Sequence, residues 1–331
     1  AQLVVRTQLP LRGFLPSVGP LRGPGGALIP ASAVEFLRAR YVSVVQPTDD
    51  AGAAGRWPDP LPPFRAPADL APEVNHPIWI RVTVPIGIPA GMYGGTIRLA
   101  SESYHASATL LVEVFDFDLP EEPALRSAFG FDPELAFRYH GAADDAARRA
   151  VLERYWADFG AHRISPFAYG TAPFDPPVTA WTRTADGAGP VPRLEWDAWE
   201  REMTRLFATY HFSAFALDVP GLGGDPPTLA GHPEGSTAFD TAFGRWCAAA
   251  EARLAARGWL DRAFVYWIDE PSEKDFPRVM TGMRRLADRM PRVARLLTKE
   301  PRAELEGPGA PNLWCPILDA WNPDRAAARR R

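Results

Sequence analysis

The segment Phe264-Val265-Tyr266-Trp267-Ile268-Asp269-Glu270-Pro271 places a run of apolar residues directly before two adjacent carboxylates. Its first five residues are apolar, aromatic or β-branched, which predicts a buried strand over 264–268. Pro271 ends the strand because proline has no backbone N–H to donate to a sheet. In enzymes built on parallel barrels, catalytic side chains lie at the carboxyl ends of buried strands. Asp269 and Glu270 are therefore candidates for general acid/base catalysis.

A structural interpretation of the same two acids stays open at this point. Asp269 would cap the helix that follows, and Glu270 would be a solvated residue of its first turn. If the acids are catalytic instead, a carboxylate pair at a strand end suits the cleavage of glycosidic bonds. The chain also lacks a Gly-x-Ser-x-Gly nucleophile elbow, which leaves the carboxylate pair as the best chemical candidate.

Strands and helices alternate around this segment from residue 124 onwards. Besides 264–268, the predicted strands are 127–131, 163–169, 214–218, 295–298 and 313–319, and the predicted helices are 142–159, 197–209, 239–257 and 276–289. This alternation predicts a parallel sheet covered by helices. No glycine-rich phosphate-binding turn follows the first strand, so a (β/α)8 barrel is favoured over a doubly wound nucleotide-binding sheet. About six of the eight units are present, which we interpret as a barrel truncated at its C-terminal end.

The first 120 residues follow a different pattern. Short strands are predicted at 2–10, 41–45, 78–85, 96–99 and 109–115, with one short helix near 33–40 and Gly/Pro-rich loops at 11–30 and 49–67. Such strands separated by turns predict a β-sandwich. The proline-bounded segment 117–123 marks the boundary, so we expect a sandwich over 1–120 and a barrel domain over 121–331. Because no aromatic platform is evident, bracing is favoured over sugar binding as the role of the sandwich.

Composition excludes several classes of protein. The 331 residues carry a formal net charge of -4, which provides no basic surface for nucleic acid. No run of about 18 apolar residues is present to span a membrane. Histidine and cysteine do not occur at metal-binding spacings, so no metal or other cofactor is expected. The two cysteines, Cys247 and Cys315, are predicted to be free, buried thiols.

Other acids and aromatics are predicted at the mouth of the barrel. They are Asp132, Tyr169, Asp218, Asp319 and Trp321, each at or just beyond a predicted strand end. Carboxylates accept hydrogen bonds from sugar hydroxyls and aromatic faces pack on sugar C–H surfaces, so this set suits a neutral polyhydroxylated ligand. Four of these residues also have a structural interpretation: Asp132 and Asp218 as turn or capping residues, Asp319 as an ion-pair partner, and Trp321 as rim packing.

Several motifs resemble a known family over most of the chain. They are Trp57-Pro58-Asp59-Pro60-Leu61, Asn75-His76-Pro77-Ile78-Trp79-Ile80-Arg81-Val82, Val84-Pro85 through Pro89-Ala90-Gly91-Met92-Tyr93-Gly94-Gly95, Tyr266-Trp267-Ile268-Asp269-Glu270-Pro271 and Leu313-Trp314-Cys315-Pro316. In this order they resemble glycoside hydrolase family 123 and the broader family called domain of unknown function 4091. The Asp-Glu-Pro tripeptide by itself is a weak signal, and the combination is fairly specific.

The resemblance implies a β-sandwich before a (β/α)8 barrel, and a retaining β-N-acetylgalactosaminidase acting on a glycan or glycoconjugate. In this scheme the acetamido group of the substrate is the nucleophile and forms an oxazolinium ion, an exception to the rule of two catalytic carboxylates. The residue at Asp269 would orient and stabilise that group. The residue at Glu270 would protonate the leaving oxygen and then activate water.

Two alternatives to this assignment remain. One is a glycosidase for sugars without an acetamido group, which would use separated carboxylates such as Asp218 and Glu270. The other is a carbohydrate-binding protein without catalytic activity. No signal peptide is visible, although a glycan substrate would suit a secreted or periplasmic protein.

Overall fold

The computed structural model describes residues 1–167, 178–183, 189–324 and 327. The chain divides into two compact units, Ala1–Leu119 and Pro120–Arg331. The first unit consists of strands and the second mixes strands with helices. None of the described helices is both long enough and apolar enough to cross a membrane.

Eleven strands and two short 3-10 helices, Pro24–Gly26 and Ala31–Ala33, form the first unit. The strands are β1 Gln2–Val5, β2 Leu11–Val18, β3 Leu21–Arg22, β4 Leu28–Ile29, β5 Val34–Arg38, β6 Tyr41–Val44, β7 Gly55–Pro58, β8 Ala68–Leu70, β9 His76–Val82, β10 Gly91–Ala100 and β11 His105–Val114. Two sheets have the orders β1-β9-β5 and β4-β3-β10-β2-β8, with β11 also paired to β10, and β6 and β7 form a hairpin. All of these pairings are antiparallel. Side chains from both sheets share one apolar core, including Phe14, Tyr93, Ile78 and Ile97.

The sequence predicted loops and a helix where this unit has strands. The Gly/Pro-rich segment 11–30 contains β2, β3 and β4, because Leu11 and Phe14 face the core and Gly13 forms an irregularity with φ 64° between them. The segment 49–67 contains β7. The helix predicted near 33–40 is wrong: β5 occupies that stretch and pairs with β9.

In its described residues, the second unit has the five helices α1–α5 among short strands. The strands are β12 Phe129–Gly130, β13 Pro166–Phe167, β14 Val178–Arg183, β15 Pro190–Leu194, β16 Phe215–Ala216, β17 Thr228–Leu229, β18 His232–Pro233, β19 Ala263–Val265, β20 Ala294–Leu297 and β21 Leu313–Trp314. The helices are α1 Pro133–His140, α2 Asp145–Ala161, α3 Asp197–Tyr210, α4 Thr237–Arg257 and α5 Phe276–Arg289. Short 3-10 helices span Glu273–Asp275, Ala303–Leu305 and Leu318–Ala320.

Parallel pairing organises this unit into one half-barrel. β12 pairs with β13, and β16, β19, β20 and β21 follow one another in a second parallel sheet. β13 lies next to β16, so the six strands succeed one another in chain order. The outer face packs against the helices in a core that includes Trp246, Phe239 and Met283. A smaller apolar cluster that includes Phe264, Tyr266 and Leu296 forms separately from that core.

In the half-barrel, β12, β16, β19 and β21 are shorter than the sequence predicted, whereas β20 has the predicted length of four residues. β19 ends at Val265 rather than Ile268. Trp267, two residues beyond the strand, packs closely against Gly282 of α5, with the guanidinium of Arg278 5.8 Å from its ring. β21 ends at Trp314, and the exposed Cys315 that follows it corrects the prediction of a buried thiol. The hairpin of β14 and β15 lies between the predicted strand 163–169 and the predicted helix 197–209, where the sequence indicated no strand. α5 has the predicted bounds.

Gly282 is required by this packing, which gives a test of the fold. A Cβ at Gly282 would lie 2.6 Å from Cζ2 of Trp267. We expect Gly282→Ala to lower the free energy of unfolding in urea by about 1–3 kcal/mol, since overpacking displaces the indole. The matched control is Gly244→Ala in α4, where the nearest atom is 3.5 Å away on the Arg289 side chain. That change should raise stability by up to about 1 kcal/mol through helix propensity. Equal effects of the two substitutions would contradict the close packing.

Candidate active site

The carboxylate of Asp269 is held by two hydroxyl groups from neighbouring strand ends. The hydroxyl of Tyr266, the first residue after β19, donates to Oδ1 of Asp269. Oγ1 of Thr298, the first residue after β20, donates to the same oxygen at 3.0 Å. The two hydroxyl oxygens are 3.3 Å apart. Because β19 and β20 are parallel neighbours, their carboxyl ends bring these three residues together.

Glu270 has a constrained backbone beside this cluster. Its N–H donates to Oγ1 of Thr298 at 2.8 Å. Its φ of 39° lies in the left-handed region, which is uncommon for a residue with a side chain. Such conformations persist where surrounding contacts over-determine them, and they concentrate at functional sites. The side chain of Glu270 is exposed to solvent. Thr298 therefore connects the side chain of one acid to the backbone of the other.

The capping interpretation of Asp269 is excluded by the next helical turn. Ser272, not Asp269, is the N-cap of the 3-10 helix Glu273–Asp275. Asp275 completes this capping box by accepting from the backbone N–H of Ser272 at 3.0 Å. Asp269 uses its carboxylate for Tyr266 and Thr298 instead, so neither acid is needed to start the helix.

Asp132 and Asp269 line one cavity of about 620 Å³. The aromatic residues around it are Phe131, Phe167, Tyr266 and Trp267. Asp132 also has the structural role that its position before Pro133 indicated. Its Oδ1 accepts from the backbone N–H groups of Glu134 at 3.0 Å and Leu135 at 3.2 Å, which caps α1. The structure thus places Asp132 at the cavity and assigns it a capping role as well.

Asp218 lies at the same edge of the sheet but makes no direct contact with the acid pair among the described residues. It follows β16, which is the parallel neighbour of β19. Its side chain is exposed, yet the surrounding protein atoms remove part of its hydration and raise its pKa above the ordinary value, opposed by a hydrogen bond from the backbone of Val219. A raised pKa favours the protonated acid.

The remaining predicted site residues lie apart from this cluster or outside the described residues. Asp319 is an exposed residue of the 3-10 helix Leu318–Ala320, and Trp321 follows it with 47% of its surface exposed. Both lie beyond the end of β21, which is shorter than predicted, and no described contact joins them to Asp269. Tyr169 lies outside the described residues.

Two residues of the cluster were not predicted as site residues. Tyr266 was assigned to the interior of the strand, and Thr298 was the last residue of another predicted strand. The position of Thr298 at a strand end was a usable signal, since the other candidates were chosen on that criterion. Burial, together with the hydrogen bond to Asp269, raises the pKa of Tyr266. Its hydroxyl therefore stays protonated as a donor at neutral pH.

The cluster has the parts of an acid/base site without a metal-binding arrangement. Among residues 1–167, 178–183, 189–324 and 327, no group of three or more His, Cys, Asp or Glu side chains is arranged to hold a metal ion. The site offers one carboxylate fixed by two donors, one exposed carboxylate on a constrained backbone, and aromatic walls. This combination can position a polar ligand and transfer a proton to it.

Known structures provide a fold comparison, whereas no protein-family model and no curated protein matches the chain. A family 123 glycoside hydrolase from Clostridium perfringens, solved in a study of glycolipid glycan hydrolysis, aligns with a TM-score of 0.63 and 11% identity. The alignment covers 99% of this chain and 64% of that one, so the chain spans less than two thirds of its length. A candidate α-galactosidase from Bacteroides fragilis aligns with a TM-score of 0.20 and 12% identity over 67% of this chain and 42% of its own, too weakly to support an argument. Over nearly its whole length, this chain has a fold like that of a family 123 glycoside hydrolase.

Proposed function

We propose that the chain is the catalytic portion of a retaining glycoside hydrolase that acts at 2-acetamido-2-deoxy-β-galactosides in glycans or glycoconjugates. The observation that carries the proposal is the Asp269–Glu270 pair, held by Tyr266 and Thr298 at the end of β19. The similarity in fold to a family 123 glycoside hydrolase supports it.

In the proposed reaction, the substrate supplies its own nucleophile. The carbonyl oxygen of the acetamido group forms a bond to the anomeric carbon while the bond to the leaving oxygen breaks, and Glu270 donates its proton to that oxygen. The product of this step is an oxazolinium ion, whose positive charge the carboxylate of Asp269 stabilises. Glu270, now ionised, takes a proton from water as the water oxygen attacks the anomeric carbon. The bond from that carbon to the acetamido oxygen breaks, which opens the oxazolinium ring and retains the anomeric configuration.

The constrained geometry suits this division of roles. Asp269 is fixed by two hydroxyl donors, as a group that orients a substrate amide has to be. The exposed side chain of Glu270 is free to reach a leaving group and then water. No second carboxylate is needed at about 5 Å across the bond, because the nucleophile belongs to the ligand.

The proposal extends to the architecture. The half-barrel of the second unit would be part of a (β/α)8 barrel over 121–331, with its strand ends forming the mouth. The antiparallel unit over 1–120 would be a β-sandwich, since residues of two sheets share one core. Asp132, Tyr169, Asp218, Asp319 and Trp321 would contact sugar around the mouth.

A second candidate function rests on Asp218. Its raised pKa is the property of an acid catalyst, so Asp218 and Glu270 would form a pair of separated carboxylates acting on sugars without an acetamido group. The two functions differ in the nucleophile. A thiazoline that mimics the oxazolinium ion should bind tightly only where the acetamido group reacts.

The test compares two aryl glycosides that differ only at carbon 2. We expect the full chain to hydrolyse p-nitrophenyl 2-acetamido-2-deoxy-β-galactoside at least about 100-fold faster than p-nitrophenyl β-galactoside, because only the first carries the nucleophile. The thiazoline should inhibit the reaction competitively. Faster hydrolysis of the plain galactoside, without thiazoline inhibition, would favour the Asp218 alternative. Sugar binding without hydrolysis of either substrate would indicate a carbohydrate-binding protein without catalytic activity.

A further inference from the structure

The first unit has a cavity of about 450 Å³ that the proposed function does not use. Three arginines line it: Arg38 at the end of β5, Arg40 two residues later, and Arg56 in β7. Tyr41 and Asn75 also line it. The segments around Trp57 and Asn75 carried motifs in the sequence, and neither contributes to the acid pair.

Backbone hydrogen bonds hold the walls of this cavity together. The N–H of Arg40 donates to the carbonyl of Pro60 at 2.9 Å, and the N–H of Ala39 donates to Pro77 at 3.1 Å. The β6–β7 hairpin aligns Tyr41 with Pro58 and Ser43 with Arg56. Three separate segments therefore converge on one concave surface, which is a preformed arrangement of the kind that small-molecule sites require.

The lining of the cavity carries positive charge. No acidic residue lines it, and none of the three arginines forms an ion pair among the described residues. Arg38 lies 5.6 Å from the centre of the Phe64 ring, and Arg56 lies 5.6 Å from that of Tyr41. Partial burial, then the charge of Arg40, lower the pKa of Arg38. Arg40 and Arg56 are exposed and Arg38 is half-buried, so an anion can reach their guanidinium groups without displacing a counter-charge of the protein.

The geometry points to a binding site for an acidic saccharide, whose carboxylate or sulfate would lie between the guanidinium groups of Arg38, Arg40 and Arg56. Guanidinium groups bind planar and tetrahedral oxyanions through paired N–H donors. The volume lies in the range of small-molecule sites, about 300–1,000 Å³, and leaves room for a sugar ring. The Asn75 amide and the Tyr41 hydroxyl supply hydrogen-bonding partners for its hydroxyls.

Calorimetric titration of the full chain at pH 7 tests this site. The probes are glucuronic acid, its neutral counterpart glucose, and inorganic sulfate. We expect glucuronic acid to bind at least about tenfold more tightly than either of the others, with an affinity that falls as salt is added. Free glucuronic acid has no glycosidic bond, so the result does not depend on the proposed hydrolysis.

Matched substitutions locate the binding. Arg40→Gln and Arg56→Gln change exposed residues. Each should lower the affinity for glucuronic acid at least about tenfold, because one charge-assisted contact is lost. Arg98→Gln makes the same charge change at an exposed residue of β10, outside the cavity, and should alter the affinity less than about twofold. Thermal unfolding verifies that the variants are folded. Arg56→Lys keeps the positive charge but removes the paired N–H donors of the guanidinium group, so it separates the two contributions.

Three results would overturn the inference. Absence of glucuronic acid binding at millimolar concentration would show that the cavity is not a binding site for an acidic saccharide. Equal weakening by Arg98→Gln and Arg40→Gln would show a diffuse effect of net charge. Sulfate binding as tightly as glucuronic acid would show a site for the oxyanion alone and overturn its assignment to a saccharide.

Discussion

Glu270→Gln is expected to lower kcat on p-nitrophenyl 2-acetamido-2-deoxy-β-galactoside by about 10²–10⁴-fold, the usual contribution of a general acid/base. Glutamine has the same shape but cannot protonate the leaving oxygen or deprotonate water. The backbone bond from residue 270 to Thr298 is retained, because it involves the N–H and not the side chain. KM should change little. Steady-state kinetics on purified wild type and variant measure the effect.

The dependence on the leaving group separates acid catalysis from misfolding. A 2,4-dinitrophenyl leaving group departs without protonation, so Glu270→Gln should impair the first step much less for that substrate. A misfolded variant would lose activity on both substrates alike. Glu273→Gln is the matched control, since Glu273 is exposed and pairs with Arg302 at 3.1 Å. An exposed pair contributes little, and activity should stay within about twofold. Wild-type rates for Glu270→Gln would refute the role of Glu270.

Asp269→Asn should reduce kcat on the acetamido substrate by about 10²–10³-fold, comparable to removing one preorganised electrostatic partner of a transition state. The amide keeps an oxygen that can accept from Tyr266 and Thr298, so the local structure should persist. What is lost is the negative charge opposite the oxazolinium ion. Affinity for the thiazoline inhibitor should fall in parallel with kcat, because both depend on that charge.

Two further variants show how Asp269 is positioned. Thr298→Val removes the donor to Asp269 and the acceptor for Glu270 N–H, and should cause a smaller loss of kcat than Asp269→Asn. Asp288→Asn on the exposed face of α5 makes the same charge change away from the site and should leave kcat unaffected. A thiazoline affinity unchanged in Asp269→Asn would contradict contact between this carboxylate and the acetamido group.

Long periodic elements were the most predictable part of the fold. α5 begins and ends at the predicted residues, because its apolar positions recur at helical spacing and Pro277 suits its first turn. The first unit was harder to predict. Glycine and proline in 11–30 suggested a loop, but pairing with β10, β8 and a shared core makes strands of that segment. Such tertiary contacts override local preference.

The candidate site shows the same division. The order of strands and helices put Asp269 and Glu270 at a strand end without any coordinates, and Thr298 stood at another. Which strand ends meet is a property of the sheet, since Tyr266 and Thr298 are 32 residues apart in the chain. Asp319 and Trp321 were predicted at the mouth because the apolar run 313–319 was interpreted as one strand. β21 ends at Trp314, well before them.

The sequence by itself determined the two kinds of unit, the alternation of strand and helix, and the acid pair, because these follow from periodicity and from the order of residues along the chain. Only the tertiary structure decided how those acids are held. After β19 ends at Val265, Trp267 packs on Gly282, Tyr266 and Thr298 donate to Asp269, and Glu270 adopts a left-handed conformation beside Thr298. Contacts between residues distant in sequence set that geometry, and no local pattern encodes it.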